Sequence, residues 1–185
     1  MKKDTLIPKQ VFFTKGAGVH RNKLESFEIA LRKAGIQAFN LVKVSSIMPP
    51  NCKIVSRARG LRELSPGEIV FVVLSEAATN EPSRMVGASV GLAQAVDEKQ
   101  YGYISEHNGF GMRKGLMADL VEDMAASMLA TTLGIEFDPD TAYDQRKETY
   151  KISGKIVRSR ACVQTAEGNK DGLWTTVVAA AVLVL

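Results

Sequence analysis

Apolar positions along this chain fall into two rhythms, and the switches between them outline its elements. "PKQVFFTKGAG" (8–18), "QAFNLVKVSS" (37–46) and "GEIVFVVLSEAA" (67–78) are short apolar runs bounded by Gly, Pro or polar residues, the signature of strands. The first closes in a glycine turn, Pro49–Pro50 forbid continuation of the second, and the third is apolar enough to be central in a sheet. Between the first two, "RNKLESFEIALRKAG" (21–35) places Leu24, Phe27, Leu31 and Ala34 at helical spacing, with Gly35 as the stop. "EPSRMVGASVGLAQAV" (81–96) reads as a second helix, with Pro82 near its start and small residues for close packing. "YGYISEHNG" (101–109) alternates as a strand ending at Asn108–Gly109. "GMRKGLMADLVEDMAASMLATTLG" (111–134) is the longest helix, and its stripe of Leu116, Leu120, Met124 and Met128 is assigned to the core. A polar connection, "IEFDPDTAYDQRKE", leads to "TYKISGKIVRSRACVQTAE" and "LWTTVVAAAVLVL", two strands predicted to form a hairpin around "GNKDG". The order β-α-β-β-α-β-α-β-β predicts a layered α/β protein of the α+β type, with a large antiparallel component and no repeated βαβ unit.

Composition narrows the class. At 185 residues, with 45% hydrophobic and 24% charged positions, the chain is expected to be one soluble globular domain, 1–185. The net charge of +4 is modest, and its densest basic run, Lys53, Arg57, Arg59 and Arg62, reads as a solvated loop. With 6% aromatics there is little to stack on bases, so no nucleic-acid partner is expected. Cys52 and Cys162 lack C-x-x-C spacing and only His20 and His107 could join them, so neither a metal site nor a disulfide framework is expected. "MKKDTLIPKQ" lacks the apolar stretch of a signal peptide, and the C-terminal apolar run is too short to span a bilayer as a helix. The expectation is a cytoplasmic protein with no membrane partner.

Few residues carry chemistry on their own. "GFGMRKG" (109–115) lies between a strand and a helix, but its spacing is one residue too long for G-x-G-x-x-G, and a turn explains it better than a dinucleotide loop. Glu28 falls between Leu24 and Leu31, on or beside the apolar stripe. A carboxylate there is costly unless paired, and the plain reading is a stripe-edge glutamate reaching to water, with Arg32 within range at i+4. Glu106 stands near a strand end, either as a desolvated acid or as an exposed rim residue. His20 and His107 form no triad with any visible nucleophile motif. Ser45–Ser46 is the sharper feature. Hydroxyls at a strand end commonly satisfy turn amides. The Ser46 hydroxyl could instead attack the Ser45 carbonyl, turning the peptide into an ester. Elimination would leave dehydroalanine, which hydrolyses to a pyruvoyl group and ammonia. The Asn40 amide could donate to the oxyanion of that attack.

The block "NLVKVSSIMPP" closely resembles the self-cleavage segment of the pyruvoyl-dependent arginine decarboxylases. The resemblance extends through "FEIALRKAGI", "YISEHNG" and the alanine-rich last strand, nearly the whole chain. It implies a proenzyme cut between Ser45 and Ser46 into a β chain, 1–45, and an α chain, 46–185, that begins with pyruvoyl. It also implies an αββα fold, a sandwich of two largely antiparallel sheets flanked by helices, assembled as a homotrimer with active sites between subunits. By position, Ser46 matches the pyruvoyl precursor, Asn40 the asparagine beside the cleavage site, and Glu106 the catalytic glutamate. Glu28 matches the acidic position facing the substrate guanidinium; aspartate is more usual there, so this chain is longer by a methylene. The implied reaction converts L-arginine to agmatine and CO2 through a Schiff base, with no pyridoxal phosphate and no metal, for polyamine synthesis or acid resistance. A pyruvoyl decarboxylase of another amino acid and a non-enzymatic basic binding domain are the competing readings.

Overall fold

The computed structural model describes residues 6–136, 138, 140, 141 and 143–185. Residues 1–5 of the N-terminal segment, and Phe137, Pro139 and Ala142 of the polar connection, lie outside the described residues. Two sheets stack face to face. The first has five strands in the order β2 (Asn40–Lys43), β5 (Ile69–Thr79), β9 (Trp174–Val184), β1 (Gln10–His20) and β4 (Lys53–Ile54). The second has four: β3 (Ile47–Met48), β7 (Gly102–Phe110), β6 (Met85–Ala95) and β8 (Ile156–Glu167). Pairing is antiparallel except for β1 with β4 and β2 with β5. With a helix on each outer face, this is the αββα sandwich expected.

Strand alternation builds the core. Val11, Phe13, Val73, Ala179 and Ala181 of the first sheet meet Val86, Ala88, Val90, Leu92 and Ile104 of the second. The other face of the first sheet, with Phe12, Val72, Ala180 and Val182, is covered by Ala30 and Ala34 of α1 (Lys23–Ala34). Asn22 caps this helix by accepting from the Leu24 and Glu25 amides, and Gly35, at φ 77°, ends it in the left-handed conformation that favours glycine. The second sheet is covered by α3 (Lys114–Thr132) through Ala125, Ala126 and Leu129.

Two glycine pairs were misread from the pattern, and for one physical reason. Gly16 and Gly18 do not turn the chain; they lie inside β1, where a Cβ would collide with the Ala30 and Ser26 carbonyl oxygens of α1. The 81–96 segment is not a helix but contains β6, where a Cβ at Gly91 would collide with the Val121 carbonyl of α3 and one at Gly87 with Met117. Small residues four apart signal close packing on a helix, and in a strand the same spacing keeps them on one face.

Other expectations also change. On α3 the buried positions are Met117, Val121, Ala125 and Leu129, one residue along from the expected stripe, together with Ala126 and Ala130, while Leu116 is 61% and Met124 37% exposed. On α1, Leu24 is outside the core, at 74% exposure. β7 runs on through Asn108–Gly109 and turns at Gly111. Part of the polar connection forms α4 (Tyr143–Ile152). β8 and β9 are not a hairpin: β8 pairs β6 and β9 pairs β1 and β5, so residues 168–173 carry the chain from one sheet to the other. The basic run holds α2 (Arg57–Arg62), whose Arg57 donates to the Ala34 and Lys33 carbonyls at the end of α1. No helix among the described residues is long and apolar enough to cross a membrane.

Candidate active site

The Ser45–Ser46 bond is the place where the chain passes between sheets. On its N-terminal side, β2 runs parallel to β5, and the Val44 amide donates to the Val72 carbonyl at 3.0 Å. On its C-terminal side, β3 pairs antiparallel with β7, and the Ile104 amide donates to the Ser46 carbonyl at 2.6 Å. Val44 is thus tied to one sheet and Ser46 to the other, with exposed Ser45 between them. β3 lasts only two residues because Pro49 and Pro50 have no N–H to continue the ladder. A cavity of about 400 Å³ opens beside the bond, lined by Leu6, Ile7, Val44, Ser45, Ile47 and Phe71 among others.

Glu106 lies on β7 two residues beyond the amide that holds Ser46, about 7 Å along the strand and on the same face as Ile104. Its side chain is exposed in the single protomer. The next residue is firmly held: the His107 carbonyl accepts from Ser75 Oγ at 2.7 Å and from Ser89 Oγ at 3.0 Å, both hydroxyls being buried. These serines tie the Glu106 segment to the facing sheet and to β6. Sequence reading passed over them; the available signal was a hydroxyl set in each of two mostly apolar strands.

Asn40 and Glu28 stand elsewhere. Asn40 Nδ2 donates to the Gly67 carbonyl at 2.8 Å, and about 13 Å of extended strand separates Asn40 from Val44. The amide does not reach Ser45 within its own protomer. Glu28 is on α1, which packs on β1 and β9, so the five-stranded sheet lies between it and Glu106. Its carboxylate holds the Arg32 guanidinium, with Nη2 donating to Oε1 at 2.8 Å and to Oε2 at 2.9 Å. The i+4 partner expected from the sequence is the one it has, and at 44% side-chain exposure Glu28 is not buried in the stripe.

Rival nucleophiles fare poorly. Cys52 is buried and its thiol is pushed up to about 11 by desolvation. Burial also raises Cys162, although Lys15, Arg160 and Lys114 pull it the other way. His20 is engaged at the start of α1, with Nε2 3.0 Å from Glu25 and Nδ1 accepting the Asn22 amide.

Comparison with known proteins puts the chain among the pyruvoyl-dependent decarboxylases, a class of lyases. Residues 10–185 match the pyruvoyl-dependent arginine decarboxylase family (PvlArgDC), and the chain belongs to it. Similar proteins span the chain nearly end to end. It is 54% identical to the probable pyruvoyl-dependent arginine decarboxylase of Chloroherpeton thalassium, over 97% of this chain and 99% of that one. It is 55% identical to the pyruvoyl-dependent arginine decarboxylase of Methanococcoides burtonii, over 97% and 100%. The corresponding protein of Nitrosopumilus maritimus is 49% identical, over 97% and 98%.

The residues at the crossing fit the group the family name implies. A pyruvoyl group made from Ser46 keeps that residue's own carbonyl, so the bond from the Ile104 amide remains available to hold it.

Proposed function

We propose that the protein cuts its own chain between Ser45 and Ser46 and then decarboxylates L-arginine to agmatine and CO2. The observation that carries this reading is the two-sided anchoring of the Ser45–Ser46 bond. Val44 and Ser46 are fixed by main-chain hydrogen bonds to different sheets, which restrains the peptide bond between Ser45 and Ser46 from both sides and supports attack of the Ser46 hydroxyl on the Ser45 carbonyl. The small chain, 1–45, keeps β1, α1 and β2; the large chain, 46–185, starts on the four-stranded sheet.

Once formed, the pyruvoyl ketone supplies the electron sink for loss of the α-carboxylate. Glu106 gives the proton to the α-carbon. Glu106 is exposed in one protomer, and in this reading, as the resemblance implies, the site lies between subunits of a homotrimer, where a neighbour covers Ser46 and Glu106. Leu6, Ile7, Val42, Ile47 and Ile69 around the crossing are 40–68% exposed, an apolar rim suited to such a contact. Glu28 and Asn40 belong to the neighbour's half of the site, which gives Asn40 its route to the cleavage point. Glu28 reads the far end of the substrate, since its carboxylate already accepts a guanidinium through both oxygens, and arginine presents the same planar fork.

Intact mass and CO2 release test the reading together. The wild type should give two chains and act on arginine in preference to ornithine and lysine, and Ser46→Ala should give one inactive chain. An active wild type that remains a single chain with an ordinary serine at 46 would refute it. A processed enzyme preferring ornithine or lysine would overturn only the arginine assignment.

A further inference from the structure

The sandwich has a second open edge, on the side away from Ser45–Ser46. Past Val11, β1 has no outer neighbour, and β8 is the last strand of the four-stranded sheet. Between these edges and the start of α3 lies a cavity of about 540 Å³. Its charged lining residues are Lys15 from β1, Arg57 from α2, Lys114 from α3 and Arg160 from β8, and among the described residues no carboxylate lines it.

None of these four cations has an ion-pair partner within 4.0 Å among the described residues. Their contacts are with uncharged groups. Lys15 Nζ donates to the Val163 carbonyl at 3.0 Å, Arg57 donates to the Ala34 and Lys33 carbonyls, and the Arg160 guanidinium sits 5.2 Å from the Phe13 ring centre. Inward-pointing charges on open strand edges discourage edge-to-edge pairing, which alone would account for Lys15 and Arg160. It does not account for Lys114, brought to the same cavity by α3, and Arg57, although its guanidinium serves the last carbonyls of α1, adds a fourth charge to the lining. Four like charges around one space repel, and a counter-charge inside it relieves them all.

We propose that this cavity binds a small multivalent oxyanion, a molecule carrying two or more phosphate or carboxylate groups. The volume is in the range of small-molecule sites. Arg160, laid against Phe13, can offer its fork to one anionic group, while Lys114 at the helix start and Lys15 across the gap serve as point charges for another.

The test is calorimetric titration of the full-length protein with sodium pyrophosphate, citrate and orthophosphate at constant ionic strength. Pyrophosphate or citrate should bind saturably at one site per chain, about tenfold or more tighter than orthophosphate, and whichever binds tighter identifies the anionic group. Arg160→Gln and Lys114→Gln should each weaken that binding about tenfold, whereas Lys43→Gln, on the opposite edge, should not. The side chain of exposed Lys114 makes no hydrogen bond or ion pair among the described residues, so its variant should fold even if Arg160→Gln does not. Absence of saturable binding by millimolar pyrophosphate and citrate overturns the proposal, as does binding that neither variant weakens. Failure to bind, together with a changed assembly mass in Lys114→Gln, would overturn it in favour of a subunit contact along this edge.

Discussion

β1 and β2 belong to the same sheet and to the same first 45 residues, yet they are held in opposite ways. β1 runs for 11 residues beside β9, with Val11 and Phe12 fully buried, and α1 presses on its two glycines. β2 has four residues and one neighbour, and three of those residues are exposed. The contrast separates two jobs that the proposed cleavage asks of one segment. β1 holds the segment in the fold, while the end of β2 is left exposed. A bond at the end of β2 can be cut without loosening what β1 holds.

The contrast is tested most severely at Ser46. Ser46→Ala should abolish both cleavage and decarboxylation while leaving the melting temperature of the uncut chain close to that of a wild-type precursor. A large loss of stability would mean that the crossing supports the fold as well. Glu106→Gln comes next. The amide keeps size and polarity but has no proton to give, so kcat should fall about 10²–10⁴-fold in the processed enzyme with KM little changed. Near-normal turnover would remove Glu106 from the acid role.

On the β1 side the effect should reverse, with fold lost rather than chemistry. Gly16→Val places a branched side chain against the Ala30 carbonyl and the Ala34 amide of α1, and neither backbone atom can yield cheaply. Urea unfolding should show a loss of about 3 kcal/mol or more. A neutral result would show that α1 can lift away from the sheet. Glu28→Gln should do least to the fold. Losing a half-exposed pair with Arg32 costs at most about 0.5 kcal/mol of stability. Arginine use should nonetheless fall, and unchanged arginine kinetics would leave Glu28 as a surface residue of α1.

A pH dependence belongs to the strongly held side too, since Cys52 packs in the same core as Val11. Its folded-state pKa is raised to about 11 from an ordinary value of 9.0. Its contribution to stability is therefore complete below pH 9 and is lost as pH rises towards 11. In the native protein at pH 8 this thiol should resist an aromatic disulfide reagent that labels it rapidly in urea.

What the sequence disclosed depended on whether a pattern had one physical meaning. The alanine-rich last strand did: Val177 to Val182 are fully buried, as an uninterrupted apolar run requires. Gly87 and Gly91 did not, because close approach of a helix demands small residues four apart whether they sit on the helix or on the strand beneath it. Leu116 and Met124 misled through composition, since alanines at 125, 126 and 130 can lie against a flat sheet where longer side chains cannot. The sheet change between β8 and β9 was hidden because a polar, glycine-containing turn fits a hairpin equally well. At the site, Ser45–Ser46 stood out by its motif and Glu28 found the partner its spacing offered. Ser75 and Ser89 were invisible, since their role depends on a carbonyl supplied by another strand.

If the chain is cut as proposed, the crossing between the sheets also changes its thermodynamic character. Uncut, residues 1–45 and 46–185 unfold as one molecule. Cut, residues 1–45 would be in effect a tightly bound ligand of residues 46–185, held by β1 between β9 and β4 and by β2 against β5. Unfolding would then release one further molecule per protomer, so the melting temperature of the cut protein would depend on concentration more steeply than that of the uncut chain. Refolding from denaturant would likewise become an encounter between the two pieces and slow on dilution.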